Sequence, residues 1–75
     1  MSITDVRAAL AEGLADRASI VRCGLTPVEG GRFQMLDCAI VLPDGRQQFL
    51  SKLYPLGHDM LQAARDLGRA AIATD

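Results

Sequence analysis

"FQMLDCAIVLPDGRQQFLSKLY", Phe33 to Tyr54, decides the fold of this chain. Its centre, LPDGR, reads as a turn. Pro43 pre-sets φ at the second turn position, Asp44 suits the third, and Gly45 takes the left-handed conformation that closes a type I turn with a bulge. Leu42 then faces Arg46, and pairing outward from there brings Asp37 opposite Ser51. Cross-strand partners share a face of a sheet. One face therefore collects Leu36, Cys38, Ile40, Leu42, Leu50 and Tyr54, diluted by Arg46, Gln48 and Lys52. The other collects Phe33, Met35, Ala39, Val41, Phe49 and Leu53, interrupted by Asp37, Gln47 and Ser51. A half-solvated hairpin alternates apolar with polar. This one is apolar on both sides.

Working outward, "ASIVRCGL" holds β-branched residues in rough alternation, which predicts a strand over Ser19 to Leu25. "TPVEGG" supplies a turn-rich connection to the hairpin. Upstream, Ser2 to Asp5 reads S-x-x-D, an approximation to a capping box that puts acid at the positive end of a helix. Ile3, Val6, Leu10 and Leu14 follow at helical spacing, with Gly13 on the same side. Downstream, Pro55 and Gly57 break the last strand. Met60, Leu61, Ala64, Leu67, Gly68, Ala71 and Ile72 then form a broad apolar stripe on a final helix. Ala64, Gly68 and Ala71 are small, so a neighbouring backbone can approach closely there. The expected fold is α+β, in the order α-β-β-β-α, with a three-stranded antiparallel sheet and both helices packed on one face. The pattern leaves open which edge of the hairpin the first strand joins.

At 75 residues the chain is expected to be one small domain, 1–75, near the size where a single core is only marginally sufficient. It is 49% hydrophobic and 23% charged, an ordinary globular balance that argues against wholesale disorder. The net charge of −1 removes the bulk attraction expected of a nucleic-acid binder. No apolar run approaches the ~18 residues of a membrane span. "MSITDVRAALAEGLADR" mixes charges throughout and has no uninterrupted apolar stretch, so it does not read as a signal peptide. With two cysteines, the expected home is a reducing cytoplasm.

Chemistry-bearing motifs are sparse. Cys23 and Cys38 are not part of a C-x-x-C, and with a single histidine the four donors of a structural zinc site are missing. Both lie in strand-like apolar segments, where a reduced cysteine behaves as a small core residue. A Cys38, His58 and Asp37 triad fails on geometry, because consecutive strand residues point to opposite faces. We therefore expect no catalytic residues, no metal and no cofactor. "VEGGR" has none of the surroundings of a phosphate loop and reads as a hairpin connection. Asp37 interrupts an apolar strand face and needs a hydrogen-bonding or charged partner if it is covered. Ser51 opposite, or Arg22 or Arg32 from elsewhere, are the candidates.

His58, Gln62, Arg65 and Arg69 follow one another along one face of the final helix as a row of hydrogen-bond donors. The α-β-β-β-α order resembles that of double-stranded-RNA-binding domains, which implies a final helix contacting phosphates. Those domains carry a lysine cluster at the start of that helix, where this segment reads LGHDMLQ. Seven of the eight basic residues are arginine, a residue enriched in protein interfaces because its planar fork pairs and stacks.

Two short helices can shelter one face of a three-stranded sheet, so an apolar reverse face calls for a second molecule. A twofold dimer meets that need by using one patch twice. The sequence thus points to a non-enzymatic protein-interaction module, a small bacterial or phage regulator of the inhibitor or adaptor kind, that forms a homodimer and binds a larger protein. Phe33, Met35, Val41, Phe49 and Leu53 are its expected contacts, with Asp37 and Arg32 setting register. The alternative is a nucleic-acid-binding accessory protein that uses the row of donors on the last helix.

Overall fold

In the computed structural model, which describes residues 2–73, the chain runs α1 (Ile3–Leu14), β1 (Ser19–Val28), a 3-10 turn (Glu29–Gly31), β2 (Phe33–Val41), β3 (Gln47–Pro55) and α2 (Met60–Ala73). The sheet is antiparallel, with strand order β1-β2-β3. This is the expected α+β order, and it settles the position of the first strand on the β2 side of the hairpin.

The hairpin closes as its turn residues dictate. The Gly45 N–H donates to the Leu42 carbonyl at 2.9 Å, the Leu42 N–H donates to the Arg46 carbonyl at 2.9 Å, and Gly45 has φ 89°. The Arg46 backbone N–H, and then its guanidinium, hold the Asp44 carboxyl below its ordinary range. From this turn the register runs without a break from Val41 opposite Gln47 to Phe33 opposite Pro55.

The strand β1 is longer than its alternation suggests. It continues through Thr26, Pro27 and Val28, which the sequence assigns to a connection. Proline is tolerated because β1 is an edge strand and Pro27, opposite Gln34, sits where its nitrogen faces away from the ladder. The turn is confined to Glu29–Gly31, with positive φ at all three residues.

Each helix begins at a side-chain cap. The Ser2 Oγ accepts the Asp5 N–H at 3.3 Å, and Asp59 Oδ1 accepts the Gln62 N–H at 3.1 Å. In α1, the helix ends where Ala15 turns left-handed and its N–H returns to the Ala11 and Glu12 carbonyls. Val6, Leu10, Gly13 and Leu14 are buried as expected, together with Ala9. Ile3 is not, being 42% exposed: as the first helical residue it lies one turn short of Val6, where the buried face begins.

Both helices cover the same side of the sheet. Leu36, Cys38, Ile40, Leu42, Leu50 and Tyr54 form one core with Val6, Leu10 and Leu14 of α1 and Met60, Ala63, Ala64 and Ala71 of α2. The helices meet backbone to backbone. A Cβ built on Gly68 would lie 2.8 Å from the Leu10 carbonyl oxygen and 3.0 Å from the Leu14 nitrogen, and one on Gly13 would collide with the Arg65 carbonyl. Small residues on α2 do here what their spacing promised.

That contact yields a test. On helix propensity alone, Gly13→Ala would stabilise the protein by about 1 kcal/mol. The added methyl meets fixed backbone rather than a yielding side chain, and overpacking of this kind costs about 1–3 kcal/mol or more. We expect Gly13→Ala to lower the thermal midpoint by about 5–15 °C. An unchanged or raised midpoint in calorimetry would mean that the helices do not touch at this point.

Candidate protein-docking face

No described segment forms a layer over the reverse side of the sheet. By register it carries Arg22, Gly24, Thr26 and Val28 of β1, Phe33, Met35, Asp37, Ala39 and Val41 of β2, and Gln47, Phe49, Ser51 and Leu53 of β3. Ala39 at its centre is buried by its neighbours, while Phe33, Met35 and Val41 are half-buried. Phe49 is 68% exposed and Leu53 is 48% exposed. The five apolar residues expected to form a docking surface do lie together on one face. None of them is packed beneath a helix.

Asp37 is opposite Ser51, as the turn predicts. The Ser51 hydroxyl is 3.3 Å from Met35 Sδ, however, and the Asp37 carboxylate is held by Arg22 of the same chain, Nη2 to Oδ2 at 3.3 Å. Both side chains of that pair are substantially exposed, so it contributes little to stability by itself. Its effect is on charge. Arg22 and Asp37 are the charged side chains of this face, and together they leave it neutral. Arg32 takes no part in the pair. It caps the 3-10 turn at the end of the sheet, and its carbonyl accepts the Leu56 N–H at 2.9 Å.

A bulge in β1 brings Arg22 to this face. The register shifts between Ile20, opposite Ile40, and Arg22, opposite Ala39. The extra residue reverses the alternation, turning Arg22 outward beside Asp37 and Cys23 inward beside Cys38. Strict alternation from Ile20 would place Arg22 in the core.

The two edges of the sheet differ. The bulge and Pro27 interrupt the free edge of β1. β3 pairs regularly over its whole length. Hydrogen bonds between Leu42 and Arg46 at one end and Arg32 and Leu56 at the other place the even-numbered residues of β3 in the ladder with β2. Its odd-numbered residues, Phe49, Ser51 and Leu53 among them, therefore direct their N–H and C=O groups to the open edge. The most exposed apolar side chain of the sheet, Phe49, and the uninterrupted edge lie on one strand.

The row of donors on α2 is less available than its spacing implies. Arg65 pairs with Glu12 at 3.3 Å, and Arg69 pairs with Asp66 at 3.1 Å. The Gln62 amide also donates to Asp66, at 2.9 Å. His58 lies before α2, its ring stacked on Tyr54 at 5.0 Å between centroids.

The cysteines are free thiols on the core side, facing each other across β1 and β2 with their sulfurs 3.5 Å apart. Among the described residues, no three His, Cys, Asp or Glu side chains gather as a metal-binding group. A depression of about 380 Å³ lies at the far end of the helical layer, lined by Arg17, Pro43, Ile72 and Ala73. It does not reach the open face of the sheet. Among the described residues, no helix is long and apolar enough to cross a membrane. Comparison with known protein families, with curated proteins and with solved structures finds no match.

The core thiol gives a pH dependence. Burial, and then the contact with Cys23, push Cys38 from 9.0 up to about 12. Between those values the unfolded chain releases the proton and the folded chain keeps it. Stability is therefore full below pH 9.0 and declines as pH rises toward about 12, by at most about 1.4 kcal/mol per pH unit. Burial raises Tyr54 as well, with the same sign. Urea unfolding at a series of alkaline pH values should show this decline, flattened in Cys38→Ala. Identical pH profiles for the two proteins would remove Cys38 as its cause.

Proposed function

We propose that this chain is a non-enzymatic protein-interaction module, whose uncovered sheet face docks on protein, and that its first partner is a second copy of itself. The observation that carries this reading is the exposure of Phe49 and Leu53, beside Phe33, Met35 and Val41, on the side both helices leave open. Covering what is exposed of Phe49 and Leu53 alone contributes about 3 kcal/mol per copy. Two copies double that, against the entropy of association.

Self-association suits this face for a second reason. Its charges cancel within one copy, so two identical faces meet without repulsion. With Phe49 and Leu53 both on β3, a twofold axis near that strand brings these residues of both copies together. The dimer then presents its remaining surface to a larger protein and acts on it by occlusion, as a small bacterial or phage inhibitor or adaptor. Nucleic-acid binding through α2 is the weaker reading, because Gln62, Arg65 and Arg69 already meet carboxylates of the same chain.

Sedimentation equilibrium tests this directly. We expect a reversible dimer at about 10–100 μM chain, and a strict monomer well above that range would overturn the reading. Phe49→Glu should remain folded by circular dichroism, since the ring is in no core, while weakening association at least tenfold. If it unfolds the chain instead, Phe49 supports the fold rather than a contact. Titration with duplex DNA and RNA at low salt should give no binding that an Arg65→Ala, Arg69→Ala double variant abolishes.

A further inference from the structure

We propose that Cys23 and Cys38 are a redox pair, convertible to an intrachain disulfide by thiol–disulfide exchange with a low-molecular-weight disulfide such as oxidised glutathione. Packing accounts for two small apolar side chains in the core. It does not require that they be cysteines, nor that they face each other. The register makes them direct cross-strand partners, and their sulfurs are 3.5 Å apart. The ladder adds a further condition. Even-numbered residues of β2 spend their N–H and C=O groups on β3, so Cys38 and Cys23 form a non-hydrogen-bonded pair. In such pairs the Cα atoms lie about 4.5 Å apart and the side chains are at their closest. That separation falls within the range a disulfide spans.

The two thiols are unequal. Cys23 is part exposed and Cys38 is fully buried. Cys23 is therefore the sulfur a reagent in solution reaches first. Its thiolate, having lost a proton to solvent, attacks one sulfur of the small disulfide, forming a mixed disulfide and expelling one thiolate. Cys38 then gives its proton to that thiolate and attacks the Cys23 sulfur. The protein S–S bond forms, the mixed disulfide breaks, and the second small thiolate leaves and takes a proton from solvent. Two protein thiols are oxidised and one disulfide is reduced to two thiols. The high proton affinity of Cys38 favours the reduced pair at rest and makes the second step the slower one.

The cross-link would clamp the bulged edge strand to the centre of the sheet. It lies one residue from Arg22 and from Asp37, which point to the docking face. The oxidation state of the core thus sets the rigidity of that corner of the face. The chemistry itself does not depend on the docking reading and stands or falls separately.

Full-length protein is incubated at about pH 8 in glutathione buffers of graded redox ratio, acid-quenched, alkylated and weighed intact. The main oxidised species should weigh two hydrogens less than the reduced chain, with no alkyl group, no glutathione and no interchain link. Its thermal midpoint should rise by about 10 °C. Cys38→Ala should stall with glutathione on Cys23. Should that variant not fold, Cys23→Ala serves instead and should stay unmodified. Persistent glutathione on the folded wild type, interchain disulfides only, or no reaction unless denaturant is present would each overturn the proposal.

Discussion

The backbone contact between Gly13 and Gly68 determines how this small chain distributes its apolar surface. With no side chain between them, α1 and α2 pack as a single narrow layer. A layer of two short helices joined in this way lies on one side of a sheet. Val6, Leu10, Leu14, Met60 and Ala64 then close over Leu36, Cys38, Ile40 and Leu50, and no described segment remains to cross to the other side. The exposed Phe49 and Leu53 are a consequence of that arrangement. A helix pair held further apart, or split across the sheet, would shelter both faces poorly instead of one face well.

Much of this was legible from the hairpin, because a two-stranded register is fixed by its turn. Once Pro43, Asp44 and Gly45 set Leu42 opposite Arg46, every pair down to Phe33 and Pro55 followed. The small residues of α2 likewise announced a close neighbour. What could not be read was β1. Its bulge at Val21 offsets the pairing by one, and the residues give no sign of where the extra one falls. Arg22 and Cys23 exchange faces as a result. Pro27 looked like punctuation and is instead a residue of an edge strand, a role proline can fill only where no ladder bond is needed.

The candidate site shows the same division. The membership of Phe33, Met35, Val41, Phe49 and Leu53 on one face came from period-two alternation and needed nothing else. The roles of the polar residues depended on tertiary placement. Asp37 is paired by Arg22 rather than by Ser51, and Arg32 stands apart at the end of the sheet. The donors along α2 could be counted from the sequence, but Glu12, which occupies Arg65, comes from the other end of the chain. The meeting of Cys23 with Cys38 was hidden for the same reason as the outward turn of Arg22: both follow from one extra residue in β1.

Whether a second copy of the chain covers the bare side of the sheet is best measured by isotope-filtered nuclear Overhauser spectroscopy on a mixture of labelled and unlabelled protein, which reports only contacts between chains. We expect cross-peaks from the Phe49 ring to methyl groups of Leu53, Met35 or Val41 on the other copy. Cross-peaks confined to residues of the helical layer, or none at a concentration where the protein is dimeric, would contradict it.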